Sequence, residues 1–266
     1  MALTNPKKQK HIVFDVIGTL ASYSKFFEAL EERLGDKLRA EGIKPMLFGY
    51  AWIETAEREY TYLSISSTTG YTPFYKVFAP LFYRVLWMSG VSEPRELASD
   101  EDKDIIMRSF LILQLRPDAS ACISHLRAHD FTVWGYTAGD VSTVAAYFAD
   151  AGIEMPVRNL LSCDMYGVGK PDKESYTPVL ELLKKEKGEG GRVRGVKEVE
   201  EGGEKEEFWF AAAHMWDVSA ARKSGFKGAW CSVYEKEPCV EIFGEMDVMA
   251  DSLLEMARMV VVKAGV

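Results

Sequence analysis

The chain has 266 residues, of which 47% are hydrophobic and 27% charged, and it carries a formal net charge of −8. That length holds a full hydrophobic core with one insertion or a second small domain, and that acidity argues against non-specific binding to nucleic acid or to an anionic membrane. No apolar run reaches transmembrane length.

The opening MALTNPKKQK is polar and basic and lacks the apolar centre of a secretory signal. The four cysteines, Cys122, Cys163, Cys231 and Cys239, show no C-x-x-C spacing, which argues against a zinc knuckle or a redox pair. A reducing, cytoplasmic setting is the expectation.

The first predicted element is a strand over Ile12 to Phe14. It ends at an acid, Asp15, with Gly18 and Thr19 immediately after. A buried strand that delivers a carboxylate to a glycine-containing turn is where open α/β sheets place ligands. An Asp at a strand end also caps turns, so the stretch alone leaves both readings open.

Helical spacing follows. Phe26, Phe27, Leu30 and Leu34 share a face, which Leu38 extends until Gly42 and Pro45 break it. A second helix is expected over 46–66, with Trp52, Ile53, Tyr60 and Leu63, then a turn-rich break at 66–70. A third stretch, 74–88, is crowded with aromatics, and a fourth runs over 100–113. The aromatics Phe74, Tyr75, Phe78, Phe82, Tyr83 and Trp87 either pack these helices or line a pocket, and packing is the expectation for most.

Beyond Pro117 strands and helices alternate. Helices are predicted at 119–128, 141–151 (capped by Asp140), 171–183 (opened by Pro171), 218–224 and 247–262. Strands are predicted at 131–136, 160–162, 208–213 and 229–233. Such alternation predicts an α/β protein with a doubly wound parallel sheet. Residues 184–207 are glycine, lysine and glutamate with little to bury, and a mobile surface loop is expected there.

Three further stretches carry chemistry: YTAGD (Tyr136 to Asp140), GKPDKESY (Gly169 to Tyr176) and HMWDVSAARKSGF (His214 to Phe226). Together with Asp15-x-x-Gly18-Thr19 they resemble, in order, the four motifs of the haloacid dehalogenase superfamily, nearest the L-2-haloacid dehalogenases. The resemblance spans nearly the whole chain except the insert.

It implies a core over residues 1–20 and 116–266 with an inserted helical cap over 21–115. It also implies that Asp15 is a nucleophile forming an ester with a small-molecule substrate. Thr19 and Thr137 would hydrogen-bond that carboxylate or the substrate, although both hydroxyls can instead satisfy turn backbone. Lys170 would hold Asp15 ionised and stabilise oxyanion charge. Tyr176 would orient a substrate carboxylate, or pack. His214, beside Asp217, is either a base for the hydrolytic water or structural.

Departures from the pattern shape the function. Phosphatases of the superfamily carry an acid two residues after the nucleophile, whereas this chain has Ile17. Alkoxide departure without an acid would forfeit a factor of about 10²–10⁴, whereas a halide leaves unprotonated. Ala221 stands where a second metal-binding acid is common, so no cofactor is expected, with weak Mg²⁺ binding through Asp15 and Asp217 left open.

Glu54 replaces the cap arginine that pairs with a haloacid, with Arg58 one turn on as a substitute, and Ala138 replaces a halide-binding asparagine. A haloacid dehalogenase-type hydrolase is therefore expected. The alternatives are a Mg²⁺-dependent phosphatase with an atypical acid and a non-catalytic binding protein. Related dehalogenases are often dimers, which makes a homodimer a candidate assembly.

Overall fold

In the computed structural model, residues 10–66, 70–186 and 207–265 are described. A six-stranded sheet forms the centre. Its strands are β1 (Lys10–Asp15), β4 (Phe131–Thr137), β5 (Leu160–Ser162), β6 (Phe208–Ala212), β7 (Lys227–Cys231) and β8 (Val248–Ala250). They run in the order β5-β4-β1-β6-β7-β8, and every neighbouring pair is parallel. The order reverses at β1, so the crevice beyond its carboxyl end is the place for a ligand.

Both faces of β1 are covered, and that is why its text is continuously apolar. Ile12 and Phe14 enter one core cluster, whose helices include α7 (Ala119–Ala128), α8 (Val141–Asp150) and α13 (Leu253–Lys263). Val13 points the other way, into a cluster with Tyr176, Val179 and Val218. Those residues sit on α10 (Lys173–Lys185) and α11 (Met215–Lys223). A register slip of one residue would exchange these faces.

Between β1 and β4 the chain leaves the sheet and returns through a two-strand antiparallel ladder, β2 (Ala21–Ser22) with β3 (Gln114–Leu115). The helices inserted there are α1 (Ser24–Ala40), α2 (Pro45–Ser66), α3 (Phe74–Phe78), α4 (Phe82–Met88), α5 (Pro94–Leu97) and α6 (Asp100–Arg108). Leu30, Leu34 and Leu38 of α1 are buried. Trp52 of α2 stacks on Phe78 at a centroid distance of 4.4 Å and donates its Nε1–H to the Phe78 carbonyl at 2.9 Å. Arg33 ties α1 to α6 through Asp102 at 2.6 Å. Short helices α9 (Cys163–Tyr166) and α12 (Val240–Phe243) complete the set. No described helix is long and apolar enough to cross a membrane.

Several predicted elements are corrected. The stretch 74–88 is not one helix: a 3-10 turn at Ala79–Leu81 separates α3 from α4, because Pro80 has no amide hydrogen to continue the ladder. Pro171 does not open α10, which starts at Lys173 with the Asp172 side chain accepting from the Glu174 amide. The stretch 247–262 holds β8 before α13, whose start is capped by Ser252. A three-residue strand is too short to show a period. Helix α11 begins at Met215 and β7 at Lys227, both earlier than expected. Of the expected loop 184–207, Lys184 and Lys185 end α10, Glu207 pairs with Lys227, and 187–206 lies outside the described residues.

Arg116 clasps the joint between the two regions. Its Nε donates to the Thr19 carbonyl at 2.9 Å and its Nη2 to the Gly18 carbonyl at 2.8 Å. Replacing it leaves two carbonyls beside Asp15 without these donors. Arg116→Ala is expected to lower unfolding stability by about 2–3 kcal/mol, read as a lower urea midpoint, and Arg116→Lys recovers only part of it because one ammonium cannot replace the two-pronged donor.

Candidate active site

Asp15 is the last residue of β1 and is buried. The chain turns sharply after it, and Gly18 takes φ +92°. A Cβ there would lie 2.5 Å from His214 Cε1, so both the backbone conformation and the space require glycine. The turn brings Thr19 back onto the carboxylate. Its Oγ1 donates to Asp15 Oδ2 at 2.7 Å and accepts from the Ala213 amide at 2.8 Å.

Lys170 comes from the loop before α10 and is buried. Its ammonium contacts Asp15 Oδ1 at 2.9 Å, Asp217 Oδ2 at 2.8 Å and the Tyr136 carbonyl at 3.2 Å. Asp217, on the first turn of α11, is fully buried and accepts from the Tyr176 hydroxyl through its other oxygen. Tyr176 thus stands behind Asp217, away from the cavity lining, where its expected contact with a substrate carboxylate has no surface to occur on. His214 is buried, and its Nδ1 lies 3.7 Å from Asp15 Oδ2.

Charge arrangement sets the protonation states. Burial alone would raise Asp15, but Lys170, then His214 and Thr19, outweigh it and hold the carboxyl down to about 2. Burial pushes Asp217 above the usual carboxylate range, more than Lys170 draws it down. Burial alone would lower His214, yet its bond to Asp15 and the charges of Glu57, Asp15 and Glu235 raise it to about 9. That shift favours the protonated imidazole in the resting site, so a base role for His214 requires its proton to leave first.

A cavity of about 340 Å³ opens above Asp15 between the sheet and the inserted helices. Its lining includes Asp15, Ile17, Thr137, Ala138, Lys170 and His214 from the sheet side, and Glu54 and Arg58 from α2. Thr137 accepts from the Gly139 amide at 2.9 Å, so its hydroxyl also serves the turn. Arg58 is half-exposed, with its guanidinium 4.0 Å from Glu59. Of the aromatics on 74–88, Phe74 lines the cavity, Phe78 and Phe82 are packed in the core, and Tyr75 and Trp87 are exposed.

Sequence reading missed Glu57, Tyr23, Phe110 and Trp216 in this wall. Glu57 was within reach, since three residues after Glu54 on a helix is the same face. Burial raises Glu57 to about 7, against the pull of His214.

Two outcomes test these assignments. The His214 ring, followed by NMR, is expected to titrate near pH 9 and to move down in Asp15→Asn. Its contribution to stability is then full below about 6.5, the unfolded value, and is lost as the pH rises through about 9. Lys170→Met leaves two buried carboxyls without their shared cation. It is expected to cost about 3–5 kcal/mol of stability at neutral pH, a loss that shrinks as acid protonates Asp217, measured by denaturant unfolding across pH.

Comparison with known proteins places this geometry. A family model described as haloacid dehalogenase-like hydrolase matches residues 9–225. No curated protein matches the chain at a significant level. Among solved structures, the L-2-haloacid dehalogenase from Xanthobacter autotrophicus is 19% identical with a TM-score of 0.68, covering 95% of this chain and 98% of that one. The L-2-haloacid dehalogenase RSc1362 is 15% identical with a TM-score of 0.74, covering 95% and 99%. The putative HAD-hydrolase YfnB from Bacillus subtilis, bound to magnesium, is 15% identical with a TM-score of 0.58, covering 96% and 99%. At these identities the structural likeness establishes a shared fold, and the family match extends over most of the chain: it belongs to the haloacid dehalogenase-like hydrolases.

Proposed function

We propose that the chain hydrolyses a small electrophile through an ester on Asp15, with displacement at carbon as in a haloacid dehalogenase, and that residues 21–115 serve as the cap over a core of 1–20 and 116–266. The observation that carries this reading is the nucleophile's setting. Asp15 is held ionised on the cavity floor by Lys170 and Thr19, while the side chain two residues on, in the same lining, is Ile17. Ile17 has no proton to give, which favours a leaving group that departs as a stable anion.

A carboxylate oxygen of Asp15 bonds to the substrate carbon as the carbon–halogen bond breaks, and the halide leaves with the electron pair. Ester formation removes one of the negative charges that sustain His214 as a cation. Burial then favours the neutral ring, which releases its proton to solvent and becomes a base. It takes a proton from water as the oxygen adds to the ester carbonyl, with Lys170 beside the developing oxyanion. The ester bond breaks, the alcohol leaves and the Asp15 carboxylate returns. Overall, water and the organic halide become alcohol, halide and a proton.

Metal independence is part of this proposal. The Lys170 ammonium already bridges Asp15 and Asp217, the two carboxylates that would hold Mg²⁺. One observation favours a second reading, a Mg²⁺-dependent phosphatase: charged His214 beside Asp15 is a proton donor of the kind that Ile17 is not.

Single turnover in H₂¹⁸O followed by mass spectrometry is expected to place the label in Asp15, and Asp15→Asn is expected to lower turnover by a factor on the order of 10⁴ or more. Halide release that continues unchanged in EDTA supports the first reading. Turnover of p-nitrophenyl phosphate that EDTA abolishes, with no label in Asp15, supports the second.

A further inference from the structure

Where a haloacid would need a cation, α2 places two carboxyl groups, Glu54 and Glu57, in the cavity lining. They line the same space as the Asp15 carboxylate, and Glu57, raised by burial to about 7, gains its full charge above that pH or beside a bound cation. Tyr234 donates to Glu54 Oε1 at 3.3 Å, which aims that carboxylate without neutralising it. Glu235, outside the lining and engaged by the Met215 amide at 2.7 Å, is near enough to act on the charge of His214.

Two of the three cations in the lining are already committed to the cavity floor. Lys170 is held between Asp15 and Asp217, His214 faces Asp15, and Arg58 is half-exposed near Glu59. The aromatic residues Tyr23, Tyr60, Phe74, Phe110 and Trp216 line the same cavity. Aromatic faces beside carboxylates are a receptor for an organic cation, which gains from both the ring quadrupoles and the charges.

A second observation concerns the other end of the ligand. His214 lines the cavity floor, is buried, and its Nε2 has no hydrogen-bond partner among the described residues. A buried donor left without an acceptor is costly, and an acceptor on a bound molecule would relieve it.

We infer that the substrate of this site is an organic cation, an alkylammonium with a hydrogen-bond acceptor near its reacting carbon, held at its charged end by Glu54 and Glu57 among the aromatic rings. This rests on the reading of the cavity as the active site but not on the ester chemistry at Asp15.

Binding separates the two. Choline, its neutral isostere 3,3-dimethylbutan-1-ol and the anion 3,3-dimethylbutanoate are titrated calorimetrically into the intact chain. Choline is expected to bind at least about tenfold more tightly than the alcohol, and the anion more weakly than both. In the double variant Glu54→Gln, Glu57→Gln, choline affinity is expected to fall about tenfold or more, a step of about 1.4 kcal/mol, while that of the alcohol stays the same and reports that the cavity is intact. Choline binding no better than the alcohol, the anion binding as well as choline, choline affinity unaffected by the double variant, or no binding of any of the three would each overturn the inference. Failure of label to enter Asp15 would instead overturn the proposed chemistry and leave these affinities where they stand.

Discussion

One buried ammonium organises this molecule. Lys170 touches two carboxylates that belong to different parts of the fold, Asp15 at the end of the central strand and Asp217 on the first turn of α11. Two like charges this deep in the protein would not both ionise without it. The loop that carries Lys170 must therefore close over the sheet edge at one place, and the strand order supplies that place, because β1 lies between β4 and β6 where the order reverses. Fold and site are two aspects of the same packing.

The same cluster explains why protonation states differ sharply among neighbouring groups. Asp15 and His214 stabilise each other's charged forms even though burial opposes both. Glu57, in the same cavity but without such a partner, is pushed the other way. A site in which one carboxylate is held low and another high contains groups with separate tasks. In the reaction proposed above, an ester at Asp15 would remove one of the charges that raise His214.

The inserted helices supply part of the lining of the cavity over this floor. Their aromatic core, centred on Trp52 and Phe78, makes α2 a rigid wall, and its Glu54, Glu57 and Arg58 are positioned by that packing. The ladder of β2 with β3 and the Arg116 clasp connect this wall to the turn that follows Asp15. The floor matches what the family resemblance implies about Asp15, Thr19, Lys170 and Asp217 being brought together, while the wall carries acids where a haloacid would need a cation.

Much was legible in the residues alone. The apolar run before Asp15, the helical spacing of Leu30, Leu34 and Leu38, and the alternation of strands and helices after Pro117 express local periods that burial imposes directly on the text. Those periods determined the α/β class, the inserted helical block and the strand that ends at Asp15, whereas Lys170 was singled out by the resemblance to the family motifs. They were silent on short elements such as β8 and on the break at Pro80 inside an otherwise helical pattern. They also could not show that Tyr176 lies behind Asp217 instead of facing a ligand, that Glu57 shares a cavity with His214, or that neighbouring charges raise His214 against its burial. Each of those facts depends on groups far apart in the chain meeting at distances of a few ångströms, where burial and neighbouring charge, not residue type, set the protonation state and the reach of a side chain. The sequence by itself determined which chemistry-bearing groups exist and which strand presents the nucleophile; only the tertiary structure decided which of them face one another.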